Sequence, residues 1–255
     1  MSENKIRCID MHVHYGEKFP WLTLGRIYSD LYESVRERYD IDCMILSSTR
    51  AITYDMPTGN EELWRFIEQR PYMYGYIVTD PNRVGDSERE MQKYAGNAKN
   101  GKFVGVKVHG PYSNTETSSP RMEELFQMLG NFGLPVKIHS ERLDQLEELA
   151  RKFPALRIIS AHGGVHGREM LMCIKNTRNV YVDFAASTPV HGAVDMSVEI
   201  LGAERVLYGS DLPIMSPSSA MGMIEEADIT PFEKELIMWK NAANLFGISG
   251  GLNDH

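Results

Sequence analysis

Ile9-Asp10-Met11-His12-Val13-His14 is the stretch on which the fold turns. With Ile6 and Cys8 before it, the run reads as a strand. Side chains two apart on a strand point the same way, so His12 and His14 form an imidazole pair on one face. Neutral imidazole is the commonest protein ligand for zinc and similar ions, and a catalytic metal site needs about three protein ligands and an open position. Two histidines do not make such a site. The chain must supply the other ligands from the ends of other strands.

Working outward, apolar runs recur along the whole chain. After the first strand, Tyr15 to Trp21 reads as a loop and Arg26 to Asp40 as a helix. The next strands are Ile41–Leu46, Tyr72–Thr79, Lys102–His109, Leu134–His139, Leu156–His162, Val180–Phe184 and Arg205–Asp211. Between them fall helical patterns over about 60–70, 85–99, 121–132, 141–153, 168–176 and 194–201, with Asn60 as a cap and Gly133 as a left-handed stop. A loop rich in Pro, Ser and Met and a long helix from Pro231 to Phe246 close the chain. Eight strands alternating with helices in 255 residues predict an α/β fold: a (β/α)8 TIM barrel of parallel strands with an extra C-terminal helix, one domain over 1–255. The competing doubly wound sheet needs a G-x-G-x-x-G turn after strand one, where this chain has His-Val-His-Tyr-Gly.

The composition narrows the partners. A net charge of -8 with no Lys/Arg cluster argues against nucleic acid and anionic membranes. No apolar run is long enough for a membrane span, and the first residues lack a signal-peptide pattern. The three cysteines, Cys8, Cys43 and Cys173, are scattered in apolar contexts and read as reduced core thiols. The expectation is a cytoplasmic protein acting on a small molecule, with homo-oligomerisation left open.

Chemistry in such barrels sits at the C-terminal strand ends. Those ends carry His12 and His14, Lys107 and His109, His139, His162 and Asp211. Five of the eight histidines therefore end predicted strands, which scattered surface histidines would not do. Weaker candidates are Arg50 just past strand two, Tyr15 and Trp21 on the first loop, His166 and His191 beyond strand ends, and Asp183 and Ser187 near strand seven. Asp10, in phase with His12 but deeper, reads as a structural hydrogen-bonding acid.

Asp10-Met11-His12-Val13-His14, Gly105-Val106-Lys107-Val108-His109, His139, Ala161-His162-Gly163-Gly164 and Tyr208-Gly209-Ser210-Asp211-Leu212-Pro213, taken in order, resemble the amidohydrolase superfamily. The branch is similar to the amidohydrolase-related (amidohydrolase 2) group of metal-dependent hydrolases and decarboxylases, whose last helix Lys240 to Phe246 also matches. The resemblance implies a divalent metal held by His12, His14, His139 and Asp211, with zinc the first choice and manganese or a similar ion also compatible. It implies Asp211 as proton acceptor and His162 as a catalytic histidine facing substrate. Lys107 would either hold a substrate carboxylate beside one metal or, carboxylated, bridge two; one metal with a plain lysine is favoured. His109, Arg50 and Tyr15 are candidate substrate contacts.

The leading functional expectation is hydrolysis of an amide, ester or lactone by a metal-activated water. The alternative is nonoxidative decarboxylation of an aromatic or unsaturated acid. A third reading, a non-catalytic metabolite- or metal-binding barrel, leaves a proton-handling acid at an open metal without a purpose.

Overall fold

The computed structural model describes residues 7–16, 18–19, 22–23, 30–95, 101–140, 142–185 and 190–248. Trp21, Ser187, and the predicted helix boundaries near Arg26, Lys99 and Glu141 lie outside them. Eight strands form one parallel sheet in sequence order: β1 (Ile9–Tyr15), β2 (Cys43–Ser48), β3 (Met73–Thr79), β4 (Phe103–His109), β5 (Val136–His139), β6 (Ile158–Ala161), β7 (Val180–Asp183) and β8 (Val206–Leu207). All eight coincide with the predicted runs. A small antiparallel pair, Lys18–Phe19 with Leu22–Thr23, stands where the sequence suggested a loop.

The barrel closes between β8 and β1. Beyond Leu207 the chain stays against β1: Met11 N–H donates to Tyr208 O (3.3 Å), Asp211 N–H to His12 O (2.8 Å) and His14 N–H to Leu212 O (2.7 Å). Asp10 Oδ1 ties the seam from below, accepting from His12 N (3.2 Å) and Ser210 N (3.0 Å), the structural role expected of it. Gly209 is required here. A Cβ at this position would stand 2.5 Å from the Cβ of His12, so any larger residue would push the seam open beneath the histidines.

Helices α1 (Asp30–Arg38), α2 (Thr49–Thr53), α3 (Met56–Ile67), α4 (Val84–Tyr94), α5 (Gly110–Ser113), α6 (Pro120–Leu129), α7 (Leu143–Lys152), α8 (Arg168–Cys173), α9 (Ala193–Leu201) and α10 (Pro217–Glu225) follow the strands. The last helix runs from α11 (Pro231–Glu235) through a π-helical turn (Leu236–Lys240) into α12 (Asn241–Phe246). Three expectations are corrected. Asn60 does not cap α3; Asp55 does, accepting from Thr58 N at 3.3 Å. Asn60 instead lies inside the helix and clamps it to β3, bonding both Val78 N and Val78 O at 3.0 Å. The Met-rich tail stretch is not a loop: Pro217 can occupy a first helical turn without losing a needed donor, and α10 packs Ala220 and Ile224 on the core. Cys173 is exposed, while Cys8 and Cys43 are buried as predicted.

Among the described residues, two large apolar clusters and a small one around Ala51, Ile52 and Val78 hold the fold. Outward-facing residues such as Val106, Val108, Val136, Ile138, Val180 and Val182 pack under the helices. A smaller cluster fills the barrel floor, where Ile45, Tyr76, Ile159 and Leu207 meet Ala242, Leu245 and Phe246 of α12. Burial of this area is the main stabilising term. Among the described residues no helix is long and apolar enough to cross a membrane.

Candidate metal centre

Because Val106 and Val108 face outward, Lys107 and His109 share the inward face of β4; Val136 and Ile138 force the same on Lys137 and His139 of β5. The parallel register sets Lys107 beside Lys137 and His109 beside His139. The inner wall thus carries a layer of two buried lysines and, above it, a layer of histidines at the mouth. The His109 and His139 rings stack at 4.2 Å between centroids, His139 meets His162 edge-on at 4.7 Å, and His162 lies 4.9 Å from His12.

At the seam, His12 Nε2 is 3.4 Å and His14 Nε2 3.0 Å from Asp211 Oδ1. The three ligand atoms lie within 4.8 Å of one another and all three residues are buried. His12 Nε2 and Asp211 Oδ1 have no hydrogen-bond partner among the described residues. The short contacts bring the three ligand atoms together around a shared point. Ligands held about 2.0–2.2 Å from a first-row metal at octahedral to tetrahedral angles stand about 2.8–3.6 Å apart, and both separations fall in that window. The donor set fits a divalent ion. His139, the fourth ligand implied by resemblance, lies outside this group of three.

The outer contacts prepare the ligands. His12 Nδ1 is 2.9 Å from Asp183 Oδ2, and His14 Nδ1 is 3.2 Å from Ser47 Oγ. Such partners fix the ring and free Nε2 for a metal. Burial holds the His12, His14 and His139 pKa values below the usual histidine range and pushes His162 down to about 3, so the rings are neutral, as ligation requires. Burial raises Asp183 and Asp10 to about 6. Burial alone would raise Asp211 too, but His14, His162 and Lys107 reverse that and hold it below the usual carboxylate range. Two site residues, His162 (φ 61°) and Asp211 (φ 67°), adopt left-handed backbone, which non-glycine residues keep only when their surroundings enforce it.

Lys107 is fully buried, its Nζ has no hydrogen-bond partner among the described residues, and burial lowers its pKa to about 8 against the pull of Asp183 and Asp211. Lys137 was missed by sequence reading; its Nζ donates to Met11 O at 3.2 Å. Its signal was present, since it is in phase with His139. Asp183, rated only a pocket edge, proves central. The weaker candidates have the following contacts. Arg50 is already paired with Glu62 (2.8 Å) and Asp55 (3.2 Å). Tyr15 stacks on Phe66 at 4.6 Å, His109 caps α5 through Nδ1, and His191 is exposed. A cavity of about 540 Å³ opens beside His139, lined by Thr117, Ser140 and Arg142 among others.

A parallel eight-stranded barrel with a buried His–His–Asp group at its strand ends defines the class of metal-dependent TIM-barrel enzymes. A family model described as amidohydrolase matches residues 9–248, and the chain belongs to this amidohydrolase-2 family. The structure resembles the 5-carboxyvanillate decarboxylase of Sphingomonas paucimobilis (17% identity, TM-score 0.76, covering 96% of this chain and 100% of that one). It also resembles a dihydroxybenzoic acid decarboxylase from Polaromonas sp. JS666 with bound manganese and 2-nitroresorcinol (17%, 0.75, 99% and 100%). An amidohydrolase from Burkholderia multivorans with bound zinc is similar too (14%, 0.77, 94% and 99%). In sequence, the chain is 29% identical over 140 residues to a gamma-resorcylate decarboxylase of Polaromonas sp. JS666. That match spans 46% of this chain and 42% of the relative, under half its length.

Proposed function

We propose that the protein is a metal-dependent, nonoxidative decarboxylase of a small aromatic carboxylic acid, of the hydroxybenzoate kind on which its relatives act. This reverses the order expected from sequence. Hydrolysis of an amide, ester or lactone is supported at the level of the family, whereas the decarboxylases named above support the other chemistry.

The observation that carries the reading is Lys107. A buried ammonium with no hydrogen-bond partner among the described residues is an incomplete ion pair, costly to leave so. A substrate carboxylate completes it; a neutral amide or lactone does not. Formal charge agrees. Asp10, Asp183 and Asp211 against Lys107 and Lys137 leave one negative charge, a divalent ion makes the sum one positive, and a monocarboxylate brings it to zero. Carboxylation of Lys107 would add another anion to three carboxylates, so we assign it as a plain lysine beside one ion.

His12, His14 and Asp211 would hold the ion, with His139 as the proposed fourth ligand. When bound, the ion would supply Lewis-acid binding of the carboxylate and a neighbouring oxygen. Asp183 orients His12, and Lys107 balances the carboxylate's charge. Asp211, a carboxylate in the resting site, takes up a proton from water and passes it to the ring carbon that bears the substrate carboxylate. The bond to that carboxylate then breaks, its electron pair returns to the ring, and carbon dioxide leaves.

The test is a substrate panel on protein assayed for metal content: hydroxylated benzoates followed by carbon dioxide release and loss of ring absorbance, beside lactones, esters and amides followed by acid release. About one ion per chain and turnover of an acid support the proposal. Turnover of the neutral panel alone, or two ions with a carboxylated Lys107, replaces it with the hydrolase reading.

A further inference from the structure

The end of β7 touches two histidines from different parts of the barrel, His12 on β1 and His162 just past the end of β6. Asp183 Oδ2 faces His12 Nδ1 at 2.9 Å, while Asp183 Oδ1 accepts from the main-chain N–H of His162 (2.7 Å) and of Ala185 (3.2 Å). Two residues on, the Ala185 carbonyl oxygen meets His162 Nδ1. Hydrogen-bond chemistry leaves little freedom in this arrangement. A carbonyl oxygen can accept and never donate, so His162 Nδ1 must carry the proton. Asp183 Oδ1 accepts both main-chain N–H groups, which leaves Oδ2 facing His12 Nδ1 as an acceptor, so the geometry places a proton on His12 Nδ1 as well. In a neutral ring the other nitrogen is then bare.

We infer that Asp183 to Ala185 is a positioning segment that locks His12 and His162 in the same tautomer, each presenting an unprotonated Nε2. For His12 this turns a lone pair toward Asp211, where the metal group forms. For His162 it has a different consequence. The ring is a hydrogen-bond acceptor, so the group placed opposite its Nε2 must be a donor, a hydroxyl or a water, and not a bare carboxylate or keto oxygen. The same carboxylate also holds His162 in its left-handed backbone through the bond to its N–H. One side chain therefore links the readiness of the metal ligand to the stance of the substrate-facing ring. The inference holds for either reaction of this family.

Long-range ¹H–¹⁵N spectra of the full chain, metal-free and zinc-loaded, read the tautomers directly. The expected result is a proton on Nδ1 of both His12 and His162 before zinc is added. A proton on Nε2 of either overturns the inference. The second arm is Asp183→Asn, whose amide can turn its NH₂ to His12 and drive the proton to Nε2. Zinc affinity, measured by chelator competition, should fall about 10–100-fold with His12 changed in tautomer. Parental affinity with an unchanged His12 signature would show that Asp183 is only structural. If the variant does not fold, the tautomers of the parent chain decide the matter.

Discussion

The floor and the mouth of the barrel are built from the same eight strands yet solve opposite problems. At the floor, Ile45, Tyr76, Ile159 and Leu207 are closed off by α12, and stability comes from apolar area. One turn of the pleat higher, Lys107, Lys137, Asp10 and Asp183 are just as buried, but charged, and atoms such as Lys107 Nζ, His12 Nε2 and Asp211 Oδ1 have no hydrogen-bond partner among the described residues. The floor is complete as it stands. In the proposed reaction the mouth is completed by an ion and an anion. Stability has been given up in one layer so that binding can restore it, as functional sites generally require.

Asp211→Asn should break the contrast most severely. Losing the ligand and proton carrier together should lower kcat/KM about 10³-fold, about 4 kcal/mol, and reduce metal content, while thermal unfolding of the chelator-treated protein stays near that of the parent. Turnover within tenfold of the parent would remove Asp211 from the chemistry.

Lys107→Met sharpens the contrast from the other side. In metal-free protein the Lys107 pKa falls from 10.5 unfolded to about 8 folded. Between those values the unfolded chain binds more protons, so this residue's contribution makes stability rise with pH by about 3 kcal/mol. The difference between parent and variant in urea titrations at pH 7.5 and 10.5 should show that rise in the parent alone. The variant should be no less stable at pH 7.5 and should lose turnover of acids. Equal pH slopes would place the ammonium in water.

The floor should respond in stability only. Leu245→Ala, at the barrel end of α12, should cost about 2–3 kcal/mol through a cavity, with kcat and metal content unchanged. Ile159→Val should cost about 1 kcal/mol and likewise leave turnover alone. A change in metal affinity in either variant would mean that the two layers are coupled, contrary to the division drawn above.

Much of this was legible in the chain. The alternation of apolar residues fixed which side of β4 and β5 faced inward, and it gave Lys107, His109 and His139 directly. The same alternation applied to Val136 and Ile138 would have given Lys137. Asn60 misled because a good capping residue is also a good side-chain bridge, and Val78 was out of sight in sequence. Arg50 looked available because Asp55 and Glu62 are bound to it only once α2 and α3 pack together.

What the sequence determined by itself is therefore periodic and local: eight strands, their inward faces, and histidines collected at their ends. Side-chain direction on a strand repeats every two residues and needs no partner to be read. The tertiary structure decided what depends on closure. Asp211 meets His12 and His14 only because the last strand lies against the first, and Asp183 reaches both His12 and His162 only through the curvature of the barrel. Those contacts span up to about two hundred residues, and no local pattern encodes the distance between atoms that far apart along the chain.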